Sequence, residues 1–357
     1  RKNGYIQALL DNNLPVDESL ILILKTLSTE ESEKATKKLL SLPNPPDGIF
    51  STNDTAAAAA IITAKKLGFS IPKQLKIIGF NNDYISTIVE PSLSTIAHPA
   101  EKAKVYTQIA TQYPNWSFSI KHKSDALIAL EQQELEQADE IVVASSFTKQ
   151  TLIKQGISDK AISVNPYGVN ASLFFPSIKA ASTKINFVFV GLVDARKGVP
   201  LLLDVWKQIN KAEATLTLIG PVSDSVRTMI ETGHPDVEVT GKIPFAELNE
   251  TLSRYDVLVF PSYFEGFGLV IPEAMACGLA VITTAATCGA DIIDHEYNGL
   301  VVETGNTTAL LQAMESIINR RYNLNEMSKR SREKALLLSW DTYGERWKNV
   351  ININKIK

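Results

Sequence analysis

The chain has 357 residues, 36 Lys+Arg against 39 Asp+Glu, 45% hydrophobic and 21% charged residues. At about 150 residues per domain this length implies two domains, and the average composition excludes disordered, collagen-like and coiled-coil classes. A formal net charge of -3 gives no general attraction to nucleic acid or anionic lipid.

Two cysteines, Cys277 and Cys288, are too few for a disulfide framework and read as packing residues in a reducing, cytoplasmic compartment. The apolar stretches Leu20–Leu24 and Ala56–Ile62 fall short of the roughly 20 residues that span a bilayer. No signal-peptide pattern opens the chain. It begins instead on RKNGYIQALL, which reads as a helix already under way and as one cut end of a transplanted fragment.

In chain order, the apolar periodicity predicts a helix over 1–12, a strand over 19–25, a helix over 30–42, a strand over 48–51, a helix over 54–68 and a strand over 75–80. The cluster SLPNPPDG reads as a turn before the buried run Ile49–Phe50. A long helix over 121–138 follows, then strand EIVVAS, a helix over 147–155 and strand AISVNP. The mixed stretch from about 170 to 183 reads as an interdomain linker. A second series starts with strand INFVFVG and a helix over 198–211, then TLTLIG, a helix over 222–232, VEVTG and a helix over 245–254. Strand VLVFPS, a helix over 271–277 and strand AVIT come next. Short pieces around 290–302 lead to helices over 307–319, 324–338 and 341–353. Strands alternating with helices define an α/β protein built on parallel sheets.

Two resemblances emerge from the motifs. RKNGY, PPDGIFSTND at 45–54, LKIIGFNND at 75–83 and PSLSTIAHPA at 91–100 resemble the effector-binding domain of lac-repressor (LacI) family regulators, a periplasmic-binding-protein type of fold. That resemblance implies that Arg1, Asn53 and Asn81 face an effector cleft, although here they read as inherited scaffold. From about 112 onward the chain resembles retaining family-4-type glycosyltransferases of the GT-B fold. The motifs are ELEQADEIVVASSFTKQTLIKQGI, AISVNPYGVNASLFFP, FVGLVDARKGVPLLLDVW, the run from VTGKIP to AVITT, and YNGLVVETGN. The chain therefore reads as a chimera with its seam near 100–112.

The implied architecture is two Rossmann-like domains in a GT-B-like arrangement. Residues 1–169 form a mosaic first domain, 183–338 a sugar-nucleotide donor domain, and 339–357 a helix packing back on the first. Strands 19–25, 48–51, 75–80, 140–144 and 162–165 are expected to share one five-stranded sheet.

The glycosyltransferase resemblance also implies a site. Glu265 and Glu273, with seven residues between them, would bind hydroxyls of the transferred sugar and of the ribose respectively, since a carboxylate accepts two hydrogen bonds from a vicinal diol. Gly266, Phe267 and Gly268 would let the backbone approach the phosphates, and Leu269 and Val270 would lead into a helix whose first amides receive them. Arg196 and Lys197 would neutralise the leaving diphosphate, with Gly191 making room beside them and no metal required. Lys242–Pro244 would lie near the base.

The donor implied is a UDP- or GDP-sugar and the acceptor a glycan or lipid-linked molecule; no cofactor, nucleic-acid partner or membrane span is expected. The family places a histidine and a Gly-rich loop beside the donor sugar. His98 and His122 stand outside such motifs and read as structural or exposed, so donor binding is better founded than turnover. The alternatives are a chimera without turnover and a ligand-sensing fragment of a regulator, the latter predicting DNA binding at moderate salt.

Overall fold

A computed structural model describes residues 15–24, 28–51, 54–71, 73–78, 102–119, 141–177 and 182–354, with isolated positions 6, 135 and 138. The predicted helices over 1–12 and 121–138, and His98 and His122, lie essentially outside the described residues, as do Arg1, Asn53 and Asn81. The chain divides into two compact units, Arg1–His98 with Asp125–Glu131, and Pro99–Ser124 with Gln132–Lys357.

In the first unit, α1 (Thr29–Leu40) starts where Ser28 accepts the Glu31 amide. Glu30 and Glu31 occupy its first turn and Lys37 and Lys38 its last, matching the helix dipole at both ends. Strand β1 (Gly48–Phe50), helix α2 (Asp54–Lys66) and strand β2 (Lys76–Ile78) follow. β1 and β2 pair in parallel, Ile49 opposite Ile77. Ala57, Ala58, Ala60 and Ala64 bury one face of α2 with Leu40, Ile61, Leu75 and Ile77.

The strand predicted over 19–25 does not form in the described residues. Glu18–Leu20 is a 3-10 turn, closed by the Asp17 carboxylate accepting the Ser19 amide at 2.8 Å, and 21–24 are irregular. Local side-chain bonding of this kind competes with a strand ladder, and Ile23 stays 76% exposed. The expected five-stranded sheet is likewise not recorded: among the described residues β1–β2 is one two-stranded sheet, and β3 (Ile141–Val143) with β4 (Ile162–Val164) another.

The second unit contains α3 (Lys102–Gln112), a helix the sequence reading did not anticipate, then β3, α4 (Ser146–Lys154) and β4. It continues through β5 (Ile185–Val190), α5 (Val199–Trp206), β6 (Ala214–Ile219), α6 (Asp224–Gly233) and β7 (Val237–Gly241). Helix α7 (Leu248–Leu252), β8 (Val257–Phe260), α8 (Val270–Ala276), β9 (Ala280–Thr284), α9 (Gly289–Ile292) and β10 (Leu300–Val302) complete the alternation. Three helices close the chain, α10 (Thr307–Ile318), α11 (Leu324–Leu336) and α12 (Trp340–Asn354). Ser145, Ser223, Asn306 and Asn323 each cap the helix that follows through a side-chain oxygen.

The six-stranded sheet is parallel throughout, in the order β10-β9-β8-β5-β6-β7. Its central strands are covered on both faces, Phe187, Val188 and Phe189 completely, which is why FVFV and VLVF read as apolar runs, whereas the edge strand β7 (VEVTG) keeps exposed positions. The strand order reverses between β5 and β8, and in doubly wound sheets the crevice at that reversal, beyond the carboxyl ends of the strands, takes the ligand.

Other segments lock onto this sheet. Tyr106, Ile109 and Trp116, from α3 and the turn after it, belong to the same buried core. The stretch read as a linker is docked over 170–177: Phe174 is buried at 3%, and Asn249 accepts the Phe175 amide at 2.8 Å. Helix α12 packs on the residues after β4. Tyr167 stacks on Trp340, Asn165 donates to the Tyr343 carbonyl at 3.3 Å and Arg346 to the Pro166 carbonyl at 3.1 Å. Gly168 is required there, because a Cβ would sit 2.5 Å from the Trp340 amide nitrogen.

Candidate functional site

Two loops leave the carboxyl ends of the adjacent central strands, residues 191–198 after β5 and 261–269 after β8. The first turns tightly and seats itself on the second. Gly198 has φ +75°, and a Cβ there would lie 2.1 Å from the Pro261 carbonyl oxygen. The Arg196 carbonyl accepts the Tyr263 amide at 2.9 Å. Gly198→Ala is therefore expected to cost about 2–3 kcal/mol through positive φ and a backbone clash, read as a lowered urea midpoint.

This seating brings Arg196, Lys197 and Glu265 together. Lys197 Nζ lies 2.6 Å and Arg196 Nη1 3.1 Å from Glu265 Oε1, and the Ser262 hydroxyl donates to the same oxygen at 2.7 Å. Glu265 is buried at 9% exposure. Burial pushes its carboxyl up, but the Lys197 and Arg196 cations outweigh that and hold it below the ordinary carboxylate range. Burial lowers the Lys197 ammonium against the opposing pull of Glu265. Arg196 is raised: burial opposes its charge, but Glu265 and Asp194 more than compensate. Lys197 also stands 5.0 Å from the Phe260 ring centroid, and Arg196 donates to the Phe264 carbonyl at 2.9 Å. All the recorded bonds to the Glu265 carboxylate fall on Oε1, so Oε2 has no recorded partner among the described residues.

Glu273 lies in the first turn of α8 and no recorded bond joins it to that cluster. No partner for its carboxylate is recorded among the described residues, and burial alone pushes it up to about 7. Phe267 turns inward, 3% exposed and 5.2 Å from the Tyr167 ring, so its ring is committed to packing. Gly266 is clamped by Ser145 and Thr148, whose hydroxyls donate to its carbonyl at 2.9 and 3.2 Å. Gly268 has φ +93°, Leu269 is 41% exposed, and Val270 opens α8. Gly191 donates its amide to Ile219, and Gly220 leaves room for its carbonyl, which a Cβ would meet at 1.9 Å. Lys242 and Pro244 are exposed. Cys277 and Cys288 are buried free thiols.

Three site residues escaped the sequence reading. Ser262 and Asp194 bond into the cluster, and their S-x-x-E and D-x-x-K spacings were the available signals. Tyr106 of α3 is 6% exposed; burial raises its hydroxyl, and Arg196, Asp194 and Glu265 all act on it electrostatically. Among the described residues no group of three His, Cys, Asp or Glu side chains is placed to hold a metal, and no helix is long and apolar enough to cross a membrane.

An open parallel sheet with its loops gathered at the switch point is a doubly wound architecture, and here it is the GT-B fold, with a periplasmic-binding-protein-like segment at the N-terminal end. Residues 184–320 match the family described as Glycosyl transferases group 1, and residues 1–104 match the Periplasmic binding protein-like domain. An uncharacterized glycosyltransferase of Methanocaldococcus jannaschii is 27% identical over 223 residues, 61% of this chain and 59% of that protein. The probable HTH-type transcriptional repressor ExuR of Bacillus subtilis is 33% identical over 105 residues, 29% of this chain and 31% of the repressor. The chain thus spans less than two thirds of either curated relative. Sucrose-phosphate synthase from Thermosynechococcus elongatus superposes over 92% of this chain and 78% of its own, with TM-score 0.64 at 20% identity. Anabaena HepE, solved in complex with UDP-glucose, superposes over 98% and 89% with TM-score 0.61 at 14% identity.

Proposed function

We propose that this chain binds a nucleotide-diphosphate sugar, UDP- or GDP-linked, in the crevice beyond β5 and β8. The observation that supports it most is the pairing of Arg196 and Lys197 on one oxygen of Glu265 at the strand-order reversal. In this reading the two cations receive the diphosphate and stabilise its charge as the glycosidic bond breaks. The second oxygen of Glu265 accepts hydroxyls of the sugar, and Glu273 accepts the ribose diol. Main-chain groups of Gly191 and of Gly266–Val270 line the phosphate path, and Lys242–Pro244 border the base. The reading calls for no divalent metal, because Arg196 and Lys197 supply the positive charge.

Transfer in this reading retains configuration, the leaving phosphate taking the acceptor's proton on the same face, toward a glycan or lipid-linked acceptor. We expect donor binding with little transfer, because no acceptor-side histidine motif accompanies the donor motifs. A cytoplasmic location accords with the two free thiols.

The pH dependence of donor binding tests the assignment of Glu273. Burial pushes its carboxyl up to about 7. Hydroxyl donors favour the ionised form, so binding lowers that value, releases a proton and tightens as pH rises. UDP-glucose, whose phosphates do not titrate in this range, is expected to bind about tenfold more weakly at pH 6 than at pH 8. Glu273→Gln should flatten the profile. A flat wild-type profile would remove Glu273 from the site.

A further inference from the structure

Arg196 and Lys197 are held by a third residue that neither the motifs nor the charge pairing brought forward. Asp194 stands at the head of their turn with only 7% of its surface exposed. Its Oδ1 accepts the Lys197 amide at 2.8 Å, closing residues 194–197 as a side-chain cap closes the first turn of a helix. The turn is completed by the Gly198 amide on the Ala195 carbonyl at 3.0 Å and the Val199 amide on the Asp194 carbonyl at 3.4 Å. A buried carboxylate is costly unless compensated; burial raises the Asp194 carboxyl, against the opposing pull of Arg196, the Lys197 amide and the Lys197 ammonium. Two cations, Arg196 and Lys197, are set between two acidic side chains, Glu265 and Asp194. The two anions do different work: Glu265 grips the tips of the cations, whereas Asp194 grips the backbone from which they project.

We infer that Asp194 is a positioning residue which fixes the Arg196–Lys197 turn so that both cations meet the diphosphate of the donor. The inference rests on the donor-binding reading above. While the second oxygen of Glu265 takes a sugar hydroxyl, the bond that the Lys197 amide donates to Asp194 keeps the turn in register, because it involves no atom that the ligand would claim.

The test compares UDP with uridine, which lacks the phosphates, on the full chain by NMR titration, with circular dichroism to confirm folding. Asp194→Ala should weaken UDP about tenfold and leave uridine within about twofold, and Asp194→Asn, which keeps an acceptor in place, should restore UDP to within about threefold of wild type. Asp194→Glu keeps the charge but moves the acceptor by a methylene, and should lose UDP while keeping uridine; with Asp194→Asn it carries the test where the alanine variant does not fold. Unchanged UDP binding in folded Asp194→Ala, or equal losses of UDP and uridine, would overturn the inference. So would a folded Asp194→Asn as weak as the alanine variant, or a folded Asp194→Glu that binds UDP like wild type. Wild-type protein that binds no UDP would sink the donor-site reading and this inference together, whereas wild-type binding with variants that fail to separate would sink this inference alone.

Discussion

Exchanging Glu273 for glutamine is expected to make the protein more stable at pH 8 and to abolish most of its affinity for a nucleotide. The two effects share one cause. Burial holds the Glu273 carboxyl at about 7, against an ordinary 4.5, and no partner for its oxygens is recorded among the described residues. Below the ordinary value both the folded and the unfolded chain carry the proton. As pH rises from there to about 7, the unfolded chain ionises first and the fold loses stability, up to a ceiling of about 3 kcal/mol. Above about 7 the loss is complete and flat. Glutamine removes that slope, so unfolding midpoints of the two proteins should nearly coincide near pH 4.5 and diverge at pH 8, with the variant higher. The same replacement removes the negative charge and turns one of the two acceptor oxygens into an NH2 donor facing the diol, a loss of roughly 10- to 100-fold in nucleotide affinity. Equal midpoints at pH 8 would show that the carboxylate has a partner, and unchanged affinity would show that its cost serves another purpose.

Lys197→Ala is the counterpart on the phosphate side, with both effects pointing downward. Lys197 makes the shortest contact with Glu265, 2.6 Å, in a place where the carboxylate is almost fully buried. Removal leaves Arg196 at 3.1 Å and Ser262 at 2.7 Å on the same oxygen, so the cost is about 1–3 kcal/mol rather than that of an orphaned charge. Affinity for UDP should fall roughly 100-fold, the worth of a charge-assisted contact to a diphosphate in a shielded crevice, while uridine binds unchanged. Lys197→Met separates packing from charge. Its side chain can still cover the Phe260 ring, which should recover stability in chemical denaturation without recovering UDP in calorimetry.

The six-stranded sheet was legible because its central strands are covered on both faces. FVFV within β5 and VLVF in β8 are apolar runs of the kind a covered parallel sheet produces, and the loops after them carry the charged residues. Element ends were less legible. The helix expected over 198–211 stops at Trp206, because the Lys211 ammonium bonds back to the Trp206 and Ile209 carbonyls and ends the ladder there. The helix expected over 245–254 splits into a 3-10 turn, Phe245–Glu247, and α7. α3 was missed although Val105, Tyr106 and Ile109 carry helical spacing, because the surrounding KAK and TQ offer no cap or contrast at the seam between two ancestries. The run LILIL was misread for the opposite reason: strand-like composition does not say whether a neighbouring strand exists to pair with it.

The site divides along the same line. Glu265, Glu273, Arg196 and Lys197 were legible through the motifs that carry the glycosyltransferase resemblance, the two glutamates seven residues apart and the Arg-Lys-Gly turn. Asp194 and Ser262 work through local hydrogen bonds, to the Lys197 amide and to the Glu265 carboxylate, across a turn or within a loop, and such bonds become visible only once the chain is folded.

The central claim is that these loops form one donor site, and a structure of the chain with UDP tests it most directly. The account predicts diphosphate oxygens within hydrogen-bonding distance of Lys197 and Arg196, and ribose hydroxyls on the Glu273 carboxylate. UDP seated away from both, or well-folded protein that takes up neither UDP nor GDP, would contradict it.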